Sequence, residues 1–143
     1  MNLLVDTCVI IDALANREPF AKDAQELCLA VASGKITGFI PAKSIADIYY
    51  IMHRSFHSDQ ETRALLKKLL LSFGILDTTA LDCRNALTSP ISDFEDAILA
   101  ETAYRSGVDY IVTRNTHDFA RSIVPVITPK ELMKICMEME KEK

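Results

Sequence analysis

The sequence predicts an α/β fold, a central parallel sheet of about five strands sandwiched between helices in three layers. Two observations carry this. Short apolar runs of strand type alternate along the chain with longer stretches in which apolar residues recur every three or four positions. Polar residues then follow the two most apolar runs at once: Asp6 after Leu3 to Val5, and Thr113 to Asp118 after Tyr110 to Val112. In an open α/β sheet, ligands sit at that carboxyl edge. The expected organisation is one domain over residues 1–143, long enough to enclose a core.

Leu3 to Val5 reads as the first strand. Asp6 then serves as N-cap to a helix over Val9 to Leu14, as a carboxylate at the strand end, or as both. Asn16 to Pro19 breaks the chain. Phe20 to Ala32 is helical by the spacing of Ala24, Leu27, Cys28 and Val31, and Gly34 stops it. Ile36 to Ile40 is the second strand. Pro41 suits the first position of a third helix. Ile45, Ile48, Tyr49 and Met52 form its apolar stripe, with Asp47 well off it. Tyr49 and Tyr50 read as packing residues rather than as a base-stacking platform. His53 and His57 are four apart, but a metal site there is disfavoured because residues 55–58 look like a helix end.

Asp59 reads as the cap of the next helix, which carries Leu65, Leu66, Leu69 and Leu70 on one face. Gly74 to Leu76 is a short third strand, and Asp77 to Thr79 opens a helix through Ala86. Ser92 to Glu95 has the form of a capping box before an Ala-rich helix that Gly107 terminates. Tyr110 to Val112 is the fourth strand. Ile123 to Ile127 is the last, and Pro125 marks it as an edge strand. Thr128 to Glu131 is a second capping box, with Pro129 at the first helical position.

Composition excludes several classes. Net charge is −4, from 16 basic and 20 acidic residues, so no general basic coat for nucleic acid exists, although local phosphate contacts remain open. No apolar run reaches membrane-spanning length, and residues 1–20 lack the layout of a secretory signal. Cys8, Cys28, Cys83 and Cys136 are widely spaced without a CxxC pair, which points to thiols in the reducing cytosol and against structural zinc. There is no P-loop, no Rossmann fingerprint and no GxSxG elbow. A phosphoryl-aspartate receiver would want paired acids after the first strand and a late Lys. Here Asp6 is single, although Asp77 is available, and no Lys follows the last strand until Lys130.

Asp6, Asp47, Asp96 and Asp118, with Asn115, therefore need joint treatment. If the first and fourth strands are parallel neighbours, Asp6 and Asn115 share one crevice. Asp96 begins the helix that feeds the fourth strand, and Asp47 must come in from a flanking helix. Carboxylates grouped this way repel unless a cation sits among them. Hard oxygen ligands suit Mg²⁺ or Mn²⁺, ions that activate water and stabilise charge on a phosphodiester.

The order of Leu3 to Thr7, Asp47, Asp96 to Ala100 and Val112 to Phe119 resembles the PIN domain family, across essentially the whole chain. The resemblance implies a parallel sheet sandwiched by helices, an acidic pocket for Mg²⁺ or Mn²⁺, and ribonuclease activity on RNA. The cysteines, read above as thiols of the reducing cytosol, imply a cytoplasmic protein. Small stand-alone members are often toxins of VapBC-type pairs, inhibited by a small antitoxin protein, and often homodimers. By position, Asp6 matches the first family acid and Asp96 the third. Asp47 stands where many members have Glu; the shorter side chain points to contact through water. Asn115 stands where many have an acid, and offers a carbonyl oxygen without charge. Asp118 is then the charged member of that loop, and Thr113 orients a water or a neighbouring carboxylate. The resemblance thus implies Asp6, Asp96 and Asp118 as metal ligands, with Asp47 and Asn115 acting through water. The alternative is a PIN-fold RNA- or protein-binding module without catalysis, motivated by Asp47 and Asn115.

Overall fold

The computed structural model describes residues 1–142. Five strands, β1 (Asn2–Val5), β2 (Thr37–Pro41), β3 (Gly74–Leu76), β4 (Tyr110–Val112) and β5 (Val126–Ile127), form one sheet in the order β3-β2-β1-β4-β5. Every pairing is parallel. The connecting helices are α1 (Thr7–Leu14), α2 (Ala21–Ala32), α3 (Ala42–Phe56), α4 (Asp59–Leu69), α5 (Ala80–Ala86), α6 (Phe94–Ser106) and α7 (Pro129–Lys141). A 3₁₀ turn over Thr116–Phe119 follows β4. Among the described residues, no helix is long and apolar enough to cross a membrane.

The central strands β1 and β4 are buried on both faces, so they read as continuous apolar runs rather than alternating ones. Side chains of β1 nonetheless part by the period of two: Leu3 and Val5 enter one core, Leu4 the other. The first core packs α1, α2, α3, α4 and α7 on the sheet, with Val9, Leu27, Ile48 and Leu132 among its buried residues. The second packs α5, α6 and the 3₁₀ turn, through Ala86, Leu99 and Phe119. This is the three-layer α/β/α architecture that the alternation of elements predicts.

Several local expectations hold. Gly107 closes α6 with φ +68, a left-handed conformation that glycine adopts without penalty. Thr128 caps α7 by accepting from the Glu131 N–H at 3.1 Å, with Pro129 at the first helical position. His57 ends α3 in a left-handed conformation, beyond any metal-binding helical face. Pro125 precedes β5, an edge strand, and its carbonyl accepts from Ile111 N–H.

Three helix starts differ by one residue. Pro41 closes β2 and stands outside α3 as its N-cap. Ser58, not Asp59, caps α4 by accepting from Glu61 N–H. Asp93, not Ser92, caps α6, its Oδ1 accepting from Asp96 N–H at 2.9 Å. In the last two cases neighbouring residues are both good caps. The start of α5 carries a reciprocal box, Thr79 with Asp82.

Candidate functional site

The sheet changes winding direction between β1 and β4, the position at which a crevice opens beyond the strand ends. Register makes this site. Val5 pairs with Val112, so the next residues, Asp6 and Thr113, emerge side by side. Asp6 N–H donates to Val112 O at 2.9 Å, and Thr113 N–H to Ile127 O at 3.0 Å. Thr113 is fully buried, and its Oγ1 donates to Asp6 Oδ2 at 2.9 Å. Asp6 occupies the N-cap position of α1 but makes no side-chain cap bond. Asp6 is thus the N-cap residue by position, and its carboxylate is oriented by Thr113 instead of by the helix N–H groups.

Asp6 shares a cleft of about 540 Å³ with Asp47, Asp96 and Asn115, and α3 and α6 form its walls. Thr7 Oγ1 donates to Ser44 Oγ at 2.6 Å, tying the start of α1 to the start of α3. Lys43 Nζ reaches Glu95 Oε1 at 3.4 Å, which links the start of α3 to the start of α6. Asn115 N–H donates to Thr113 Oγ1 at 3.1 Å, so one hydroxyl holds both Asp6 and the loop bearing Asn115. Asp47 and Asn115 are exposed, and Asp96 is half-buried.

Asp118 falls elsewhere. It is exposed and lines a neighbouring hollow with Ser92, His117 and Arg121. Its charge still reaches the cleft. The Asp96 carboxyl is pushed up to about 7, first by burial, then by the carboxylates of Asp6, Asp93 and Asp118, with Lys43 opposing. Cys8 Sγ lies 3.6 Å from both Asp6 Oδ2 and Thr113 Oγ1; burial, and then Asp6, push its thiol up to about 11. A thiol so raised stays protonated at neutral pH and is a poor nucleophile.

The cleft is thus an oxygen-rich, electronegative pocket that suits a hard divalent cation with retained waters. Among the described residues, no three His, Cys, Asp or Glu side chains are drawn together closely enough to form a complete cage. The donor set fits an ion held by few carboxylates and completed by water or a substrate phosphate. Asp82, a buried acid outside the cleft, is accounted for by the fold. Burial opposes ionisation of Asp82, yet Arg105, the Thr79 N–H and Thr102 hold its carboxyl down to about 2. Asp77 offers its carbonyl to Arg105 at 2.6 Å. A sheet order unlike the 2-1-3-4-5 of receiver domains removes the support of the receiver alternative.

Sequence reasoning gave no place in the cleft to Lys43 or Arg54, read Tyr50 as a packing residue and Glu95 as part of a capping box. The signal was present on α3, where Lys43, Asp47, Tyr50 and Arg54 recur at steps of four, three and four, a helical stripe beside the apolar one.

The PIN domain family model matches residues 2–117, and the chain belongs to this family, whose members are generally nucleases. Solved structures agree on the fold. VapBC2 from Rickettsia felis, bound to a DNA fragment from its promoter, matches at TM-score 0.65 and 17% identity, over 90% of this chain and 98% of that one. A toxin–antitoxin complex from Klebsiella pneumoniae matches at TM-score 0.66 and 25% identity, over 89% and 97%. FitAcB from Neisseria gonorrhoeae matches at TM-score 0.65 and 19% identity, over 90% and 98%. The chain is therefore a PIN domain similar in structure to toxin–antitoxin proteins. No curated protein sequence matches it.

Proposed function

We propose that this PIN domain is a divalent-cation-dependent endoribonuclease, the toxin of a two-component pair, acting in the cytoplasm. The observation that carries the reading is the shared cleft of Asp6 and Asp96 at the β1/β4 switch point, where Asp96 is pushed up to about 7 by burial and neighbouring carboxylates. Such a pocket is unfavourable for its own charges and favourable for a cation. Asp6 and Asp96 would hold Mg²⁺ or Mn²⁺, with Asp47 and Asn115 acting through water and Asp118 adding charge from the next hollow. When bound, the ion supplies charge stabilisation on the scissile phosphate and an acidified water.

The chain's own groups set the stage for that chemistry. Thr113 fixes the Asp6 carboxylate by its hydroxyl, so one oxygen is committed and the other is left to face the cleft. The Asp93 cap fixes the backbone at Asp96. Asn115 offers a neutral oxygen where a further carboxylate would add repulsion. Lys43, with Glu95, keeps a cation at the rim and tempers the negative field for an incoming phosphodiester.

The antitoxin assignment rests on family membership and on the resemblance to toxin–antitoxin complexes. A small inhibitory protein is the proposed partner, and a homodimer the proposed assembly. The deciding experiment is cleavage of an RNA pool by the purified chain with Mg²⁺ or Mn²⁺, with and without chelator, for the parent and Asp96→Ala. Cleavage should require the ion and vanish in the variant. RNA binding without cleavage under either metal would instead favour a binding module that keeps the fold. Activity that survives chelation and the substitution would reject the metal-dependent mechanism.

A further inference from the structure

Helix α3 carries two stripes. Ile48 and Met52 are buried against the sheet, whereas Lys43, Asp47, Tyr50 and Arg54 line the acidic cleft. Tyr50 does not pack as the sequence suggested: it is 64% exposed. Its ring is nonetheless braced. The Tyr49 ring meets it edge to face, with centroids 5.0 Å apart and planes at 89°. Tyr49 is held in turn, stacked on His53 at 5.6 Å and bonded through its hydroxyl to Asp59. Arg63 Nε anchors Asp59 at 2.9 Å. The result is a supported aromatic ring standing at the cleft with most of its surface open to solvent.

Arg54 lies one turn further along the same stripe and is exposed. Among the described residues it forms no ion pair, whereas Lys43, the other basic residue lining the cleft, is engaged with Glu95. A cation in the last turn of a helix is favoured by the helix dipole. That accounts for a charge at this level of α3, but not for its place in the cleft beside a braced aromatic ring.

We propose that this face of α3 is a binding surface for unpaired RNA: Tyr50 stacks a base, and Arg54 contacts a phosphate of the same strand. The placement of that base near a scissile bond rests on the ribonuclease reading above. Stacking requires a base whose face is free, which single strands and loops offer and a duplex does not. It tolerates any base, because every base has a π-face. The cleft would then select for strandedness more than for sequence, and Arg54 would offer an anionic strand a cationic foothold in a pocket otherwise rich in carboxylates.

The test is fluorescence anisotropy of a short, mixed-sequence, fluorescein-labelled single-stranded RNA, titrated with the full chain in Mg²⁺. The chain carries Asp96→Asn, so that the probe is not consumed. In that background Tyr50→Ala should weaken binding on the order of tenfold, and Tyr50→Phe should keep it, since stacking uses the ring. Arg54→Ala should weaken binding and reduce the salt slope by roughly 0.7, the contribution of one phosphate on a single strand. The same probe annealed to its complement should bind weakly and be indifferent to Tyr50→Ala. Affinity unchanged by both Tyr50→Ala and Arg54→Ala, or no RNA binding at all, overturns the proposal and leaves the face to a protein ligand. Tyr50-dependent binding in a chain whose parent cuts nothing keeps the RNA surface and removes the nuclease reading.

Discussion

Arg114 and Asp12 form an ion pair across the carboxyl edge of the sheet, Arg114 Nε to Asp12 Oδ2 at 2.8 Å. The Asp12 side chain is 2% exposed, and the Arg114 guanidinium also lies 4.5 Å from the centre of the Phe20 ring. Arg114 sits between Thr113 and Asn115, so the pair fastens the loop after β4 to α1. Breaking one partner of such a pair leaves the other charge uncompensated inside the protein. Arg114→Ala is therefore expected to cost about 3–5 kcal/mol of stability in urea unfolding, whereas a double change to Asp12→Leu with Arg114→Met should recover most of it. A loss in Arg114→Ala no larger than that of an exposed surface pair, about 0–1 kcal/mol, would show that the pair does not hold the loop.

Thr113 bears on activity more directly. Its hydroxyl donates to Asp6 Oδ2 at 2.9 Å and accepts from Asn115 N–H at 3.1 Å, and the side chain has no exposure. Thr113→Val keeps the shape and removes both bonds. It should lower stability by about 1–3 kcal/mol, since a partner is left unsatisfied. RNA cleavage should fall as well, with weaker Mn²⁺ binding by calorimetry, because Asp6 is no longer oriented. Thr113→Ser retains the hydroxyl and should restore Mn²⁺ affinity even where some stability stays lost. Equal Mn²⁺ affinity in all three proteins would reduce Thr113 to a packing residue.

Much of this was legible in the chain. Strand runs of two to five residues in apolar sequence, separated by helical periodicity, are enough to define a parallel sheet with two covered faces. Asp6 and Asp96 were legible because each stands at the end of an unmistakable element. What was not legible lies in contacts between residues far apart in sequence and in the choice between neighbouring local signals. The Arg114–Asp12 pair spans 102 residues, and nothing local in either segment announces it. The cap of α6 depends on the competition between Ser92 and Asp93. With Asp93 as cap, Glu95 is left to meet Lys43 and Asp96 is placed in the third helical position. Asp118 was grouped with the cleft by its nearness to Asn115, but the 3₁₀ turn carries it into the next hollow.

The Asp96 carboxyl links the site to stability. Mutual repulsion was the expected cause of a raised pKa; burial comes first, with Asp6, Asp93 and Asp118 adding to it. The folded-state value of about 7 lies above the ordinary value of 3.8. The protonated form is thus the one the fold favours. Its contribution is fully present below the unfolded pKa and is lost as pH rises through the folded one. Without added metal, the parent should lose melting temperature between about pH 4 and pH 7 relative to Asp96→Asn, which has no such proton to lose. At neutral pH the variant should melt no lower than the parent, and higher where repulsion is fully developed. Mg²⁺ or Mn²⁺ should raise the parent's melting temperature, as a ligand of the native state alone does, and should do little for the variant. Were Asp96 only a residue of the first helical turn, the substitution would instead remove a favourable dipole interaction of roughly 0.3–1 kcal/mol, with no response to metal. Thermal melts of both proteins across this pH range, with and without Mn²⁺, separate the two cases. A variant that melts lower than the parent and still gains fully from Mn²⁺ would take Asp96 out of the metal site and leave Asp6 without its counterpart.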